Sequence, residues 1–224
     1  MVTSTRLISY SQPPKGEDGI IGIENVQDLI AFCARVSNPA NQMNQETSEK
    51  LIKYLVKHKH WSPLEMASAT IEIDTTRDIA HQIVRHRSFA FQEFSQRYAE
   101  PSAMGDAFTK RECRLQDYEN RQNSIDDLDY LRQDLYSSKI QHLFDESYRL
   151  YNELLEEGVA KECARKILPM NSPTRLYMSG TIRSWIHYLS VRKGPETQLE
   201  HRMIANEIYQ TLNKEMPNLW EVIN

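Results

Sequence analysis

The sequence is poor in glycine, with seven among 224 residues. It has no GxGxxG and no GxxxxGKS/T run. Backbone amide cradles of the usual phosphate-binding kinds are therefore excluded, and any phosphate must be held largely by side chains. Cysteine is scarce too. Cys33, Cys113 and Cys163 lie far apart, are odd in number and form no CxxC pair. That excludes a disulfide framework or zinc knuckle and points to reduced intracellular thiols. There is no His-Glu-x-x-His segment; His58 and His60 would face different sides of a helix, and His81 and His86 are five apart. No metal site is expected. The start, "MVTSTRLISYSQPPKGEDG", lacks a basic-then-apolar leader, and no apolar run approaches the roughly 20 residues needed to span a bilayer. A cytoplasmic protein without membrane contact is expected. An excess of positive charge is also missing, since the formal net charge is −4. A general nucleic-acid binder needs a broad basic surface and is not favoured.

What is present stands out against that background. Hydrophobic residues make up 40% of the chain, enough for the core of one domain spanning 1–224. "TRLISYS" (5–11) alternates weakly and reads as a strand; "SQPPKGEDGI" (11–20) reads as a loop. Val26, Leu29, Ile30, Cys33 and Val36 recur at helical spacing over 25–37, as do Leu51, Ile52, Leu55 and Val56 over 48–61. The second of these helices must stop near Ser62, because Pro63 disfavours helix there. Over 66–76, Ala67, Ala69, Ile71 and Ile73 alternate with Ser68, Thr70, Glu72 and Asp74, the pattern of a half-buried strand. Thr75 or Thr76 then reads as the N-cap of a helix over about 77–86, with Asp78 in its first turn.

Residues 101–123 are polar and read as loop, and 125–158 as a long helix or helical pair ending at Gly158. A short helix over 161–169, with Cys163 on its packing face, stops at Pro169. A strand over 174–181 leads into a helix buried through Ile182, Trp185, Ile186 and Leu189, and a last helix covers 196–215. Strands and helices mix without βαβ alternation. The fold class is α+β, a single domain with a mixed or antiparallel sheet flanked by helices.

The densest chemistry lies in "VRHRSFAFQEFSQRYAE" (84–100). Arg85 and Arg87 bracket His86. On an extended stretch, Glu93, Ser95 and Arg97 would share one face. Arg165 sits in the short helix, Arg183 and His187 are i, i+4 on the polar side of the next helix, and Arg192 follows at its end. An arginine fork makes paired, charge-assisted hydrogen bonds to phosphate. These residues fit a small anionic ligand better than a nucleic-acid surface. Ser95 has no evident base beside it and reads as a phosphate-binding hydroxyl rather than a nucleophile.

Three segments in order carry a family resemblance. "RHRSFAFQEFS" is Arg-His-Arg, seven residues, then Ser; "HWSPLE" (60–65) lies upstream; "ARKILPMNSPTRLYMSGTIRSWIHYLSVR" (164–192) lies downstream. Together they resemble the flavin-dependent thymidylate synthases. The resemblance implies reductive methylation of dUMP to dTMP, with 5,10-methylenetetrahydrofolate as carbon donor, FAD as cofactor and NADPH as reductant. It also implies a homotetramer with sites shared between subunits.

Carried over by position, His60, Ser62, Arg85, His86, Arg87, Glu93, Thr181, Ile182, Arg183 and His187 should contact FAD. Gln82, Ile83, Val84 and Arg85, then Glu93, Phe94, Ser95, Gln96 and Arg97, should enclose dUMP, joined by Arg165 and Arg192. Arg192 is the catalytic candidate, a fixed cation stabilising negative charge on the pyrimidine. Thymidylate synthases of the other kind attack with a cysteine in a Pro-Cys-His context; this chain has no Pro-Cys. The chain departs from the family pattern at Met66 and Gln96, where histidine and glycine are usual, and at Thr181 and His187, where asparagine is usual. The alternatives are a single-stranded nucleic-acid platform built on the Arg and aromatic residues of 85–98 and, more weakly, a metal phosphohydrolase.

Overall fold

A computed structural model describes residues 3–105 and 111–220. In chain order the regular elements are β1 (Ser4–Tyr10), α1 (Val26–Ala34), α2 (Ser48–Lys57), β2 (Ser68–Thr76), α3 (Arg77–Ile83), β3 (Ala90–Glu93), β4 (Leu115–Gln116), β5 (Ser124–Ile125), α4 (Tyr130–Glu156), α5 (Lys161–Ala164), β6 (Pro173–Thr181), α6 (Ile182–Arg192) and α7 (Leu199–Glu215). The main sheet has four strands in the order β1-β2-β6-β3, every neighbouring pair antiparallel. Helices and an antiparallel sheet make this an α+β fold.

The alternation read in β2 sets the two faces of the sheet. Ile71 lies opposite Met178 and Ile73 opposite Leu176. All four are wholly buried and join Ile79, Ile83, Trp185, Leu189, Ile204 and Ile208 from α3, α6 and α7 in one core. The intervening residues form an ionic lattice on the other face. Glu72 lies opposite Tyr177 and accepts from its hydroxyl at 2.7 Å, while Arg175, opposite Asp74, bonds it at 2.6 and 2.8 Å. The Tyr177 hydrogen bond, helped by Arg6 and Arg175, holds the Glu72 carboxyl below its ordinary range despite burial.

Several boundaries differ from the sequence reading. The helix expected over 48–61 ends at Lys57, in a turn where Lys59 N bonds Val56 O (3.1 Å) and His60 N bonds Leu55 O (2.8 Å). Lys59 takes the left-handed position (φ 58°) usually given to glycine. Helix α1 ends at Ala34, so Val36 falls outside it and is exposed. Helix α5 is one turn, packed through Ala164, which leaves Cys163 exposed rather than packed. Of the loop expected over 101–123, residues 106–110 lie outside the described residues; Leu115–Gln116 pairs with Ser124–Ile125 in a two-stranded ribbon. The stretch 84–97 is not continuously extended either. β3 ends at Glu93, and Ser95 starts a turn: its carbonyl accepts from Tyr98 N and Ala99 N, and its hydroxyl from Arg97 N. Glu93, Ser95 and Arg97 therefore do not share a strand face.

Candidate active site

Helix α6 organises the site. Its N-cap, Thr181, accepts from Ser184 N, and Ser184 Oγ in turn donates to Ser88 O (3.3 Å). This ties the Arg-His-Arg turn to the start of the helix. Gly180 is needed at this join, because a Cβ there would sit 2.5 Å from the Phe89 ring. Phe89 is buried against Trp185 and Tyr188, with ring centroids at 4.7 and 6.0 Å. It is a packing support and offers no face to a base.

On the outer side of α6, Arg183, His187 and Ser190 line a groove of about 720 Å³. Lys59, Trp61 and Glu65 form its other wall, and Glu65 pairs with Arg183 across it. The left-handed turn at Lys59 brings the 59–65 segment here, with His60 and Ser62 exposed between the lining residues. Of the residues expected at the flavin, Arg183 and His187 line this groove, while His60, Ser62 and Thr181 neighbour its lining residues in the chain or by hydrogen bond. Ile182 is wholly buried and its amide donates to Ala67 O (2.9 Å), so it presents no exposed surface to a ligand. The groove pairs a polar side (Arg183, His187, Lys59 and hydroxyls) with apolar surface from Trp61 and Ile186. That donor set suits a flat aromatic ring carrying phosphates.

At the other end of α6, Arg192 Nε donates to His86 Nε2 at 2.8 Å. Burial, then the nearby Arg192 and His187, push the His86 imidazole down to about 4. The ring is neutral near pH 7 and can accept. It orients the Arg192 guanidinium without neutralising it. Arg85, Arg87, Arg165 and Arg192 have no carboxylate partner among the described residues. Arg97, by contrast, pairs with Glu162 at 3.2 Å.

Glu93 stands at the edge of the sheet opposite Leu176, bonded by Thr174 Oγ1 (3.0 Å) and Arg77 (3.4 Å). Phe94 is half-buried, its amide donating to Arg175 O. Gln96 is buried with Nε2 unpartnered. Ile83 is wholly buried in the core, and half-buried Val84 packs against it.

Sequence reasoning missed a set of polar residues behind Gln82. Wholly buried Tyr188 and His201, buried Glu200 and half-buried Gln198 form a hydrogen-bonded chain with it. The only local signal was "TQLEHR", unusually polar for the start of a helix that buries both Glu200 and His201. Trp61, Ser88 and Ser184, which line the groove, were missed as well.

Residues 20–218 match the family model described as thymidylate synthase complementing protein. The chain is 45% identical over 221 residues to a probable flavin-dependent thymidylate synthase of Paramecium bursaria Chlorella virus 1, covering 99% of each chain. It is 46% identical over 217 residues to a flavin-dependent thymidylate synthase of Synechocystis sp., covering 96% of each. Among solved structures it resembles the UMP/dUMP methylase PolB from Streptomyces cacaoi bound with 5-Br dUMP. The TM-score is 0.80 at 25% identity, over 98% of this chain and 93% of that one.

Proposed function

The chain belongs to the family of flavin-dependent thymidylate synthases, and on that premise we propose that it methylates dUMP to thymidylate using 5,10-methylenetetrahydrofolate, FAD and NADPH. The observation that carries the reading is convergence. Lys59, Trp61 and Glu65, Ser88 beside the Arg-His-Arg turn, and Arg183 to Ser190, far apart in sequence, line one groove along α6, and at the end of that helix Arg192 is held by His86. The whole chain, 1–224, acts as one catalytic domain.

FAD bound here would supply the hydride chemistry. The protein's own residues bind, orient and polarise. Arg183, His187, Ser62 and His60 would hold the flavin in the groove, with Arg85, His86, Arg87, Glu93 and Thr181 around it and Ile182 supporting Thr181 from the core. Gln82, Val84, Arg85 and the Glu93–Arg97 turn would enclose dUMP, with Ile83 behind them in the core. Arg165 adds a charge-assisted bond. Arg192, held by neutral His86, places a fixed positive charge beside the pyrimidine and stabilises the negative charge that makes C5 nucleophilic. The balance is one methylene moved from its two folate nitrogens to C5, two protons taken up by those nitrogens, one C5 proton released and one hydride delivered, so the folate leaves as tetrahydrofolate while one NADPH is oxidised and one further proton consumed.

A homotetramer with shared sites accompanies this reading. Helix α4 spans 27 residues but buries only Tyr151 fully, leaving Leu131, Leu135, Leu143 and Leu150 exposed along it. An exposed apolar stripe of that length calls for another subunit. Light scattering should give four times 26.2 kDa. The purified protein should be yellow with flavin absorbance; colourless protein that binds no added FAD contradicts the assignment. The single-stranded nucleic-acid reading loses its footing with Phe89 buried under Gly180.

A further inference from the structure

Behind the site runs a chain of hydrogen bonds, half-buried at Gln82 and Gln198 and wholly buried at His201 and Tyr188, and each bond in it has a definite direction. Glu200 accepts from Arg114 Nη2 at Oε1 (2.6 Å) and from Gln198 Nε2 at Oε2 (2.9 Å). Burial raises the Glu200 carboxyl, but the bonds from Arg114, its own backbone and Gln198 outweigh this and hold it below its ordinary value. It is a carboxylate, an acceptor only. Gln198 must therefore turn its nitrogen to Glu200 and its oxygen to Gln82.

Gln82 answers with Nε2, 2.7 Å from Gln198 Oε1. That leaves Gln82 Oε1 facing His201 Nδ1 at 3.3 Å, so Nδ1 must carry the proton. A neutral imidazole protonated at Nδ1 has a lone pair on Nε2. The Tyr188 hydroxyl, 3.0 Å away, donates to it. Both His201 and Tyr188 are wholly buried. Burial, with Arg192 and His86 nearby, keeps the His201 imidazole neutral, with its pKa pushed down to about 3. Every link has one allowed direction, set at one end by the Glu200 carboxylate.

We infer that His201 is a positioning residue for the nucleotide: with Gln198 it locks the Gln82 amide, so that one Nε2 proton and one Oε1 lone pair stay in fixed directions toward dUMP. A free glutamine amide can rotate by 180° and exchange its donor and acceptor. Here that rotation would set nitrogen against the Nδ1–H of His201 and oxygen against Gln198 Oε1, breaking both bonds. Locking the amide before the ligand arrives removes an ordering cost from binding. The same histidine ties this lock to the catalytic cation, because the Tyr188 ring that bonds it also packs edge-on against His86 at 4.9 Å.

The inference rests on the thymidylate-synthase reading, in which Gln82 touches dUMP. The test is dUMP affinity by calorimetry, with kcat and KM, on the flavin-loaded protein and four variants: His201→Asn, His201→Gln, Gln82→Ala and the double variant Gln82→Ala/His201→Gln. An Asn nitrogen can stand where Nδ1 stands and still donate to Gln82. A Gln side chain reaches the Nε2 position and leaves Gln82 without its donor. His201→Asn should bind dUMP within about threefold of the parent. His201→Gln should bind dUMP about tenfold more weakly and raise KM about tenfold, with kcat within about twofold, the scale of one lost hydrogen bond. In the Gln82→Ala background His201→Gln should add nothing, as coupling through Gln82 requires. Equal affinity in the Asn and Gln variants, or a full loss from His201→Gln without Gln82, overturns the positioning role. Parent protein that binds no dUMP fails the functional reading itself, whereas parent binding with an unaffected Gln variant fails His201 alone.

Discussion

Arg192 and His86 are 106 residues apart in sequence and 2.8 Å apart at Nε and Nε2. The histidine is neutral, so the pair is a cation held by a lone pair and not a salt bridge. A carboxylate in its place would hold the guanidinium as firmly but spend its charge. Arg192→Ala should therefore lower kcat by about 10²–10³, the usual scale for losing one charge-stabilising donor, while flavin absorbance stays bound to the protein. Turnover that survives this change rejects Arg192 as the catalytic cation. On the acid side, activity should fall as pH drops toward about 4, where His86 gains a proton and faces Arg192 as a like charge.

Arg165 lies in a short 3-10 turn after α5, half-buried and without an acidic partner among the described residues. Its proposed work is one charge-assisted bond to the nucleotide. Arg165→Ala should weaken dUMP binding by about 10- to 150-fold, corresponding to about 1.5–3 kcal/mol. Calorimetry with dUMP reads this directly, and an unchanged affinity removes Arg165 from the site.

Lys59 sits at φ 58°, where a side chain costs about 1–2 kcal/mol relative to glycine. Lys59→Gly should raise stability by about 1 kcal/mol in denaturant titration. It should also weaken flavin binding, since Lys59 lines the groove beside Arg183. Strain retained at a ligand wall is the combination expected of a functional turn. A glycine variant that is no more stable, or binds FAD equally well, argues against that explanation.

Buried His201 makes folding acid-sensitive. Its pKa is about 3 in the fold against 6.5 as a free side chain. Between those values the unfolded chain binds the extra proton, so stability is complete above about 6.5 and declines as pH falls toward 3. The total is on the order of a few kcal/mol. His201→Asn cannot titrate there and should flatten that limb in urea midpoints measured from pH 7 to pH 4. An unchanged slope would mean that other groups govern acid stability.

The strand at β2 was legible because a period of two is written in Ala69, Ile71 and Ile73 themselves, and the Arg-His-Arg turn because its charge is dense and local. What could not be read is what residues meet across distance. Gln82 and Gln198 are 116 positions apart, and nothing in either neighbourhood names the other. The turn at Ser95 was hidden for a related reason. Phe89, Phe91 and Phe94 look extended by composition, yet the partner strand β6 pairs only as far as Glu93, and Ser95 then hydrogen-bonds to its own local chain. Lys59 defeated prediction because lysine rarely occupies a left-handed helix end. The groove depends on the Lys59 turn, so its residue types were readable while its shape was not.

The most direct test of the central claim is a stoichiometry. Purified protein is given FAD, dUMP, 5,10-methylenetetrahydrofolate and NADPH under anaerobic conditions, and thymidylate, NADPH consumption and the folate product are measured together. The account predicts one thymidylate for each NADPH oxidised, with tetrahydrofolate as the folate product. Dihydrofolate in its place, or NADPH consumed without thymidylate, would contradict it.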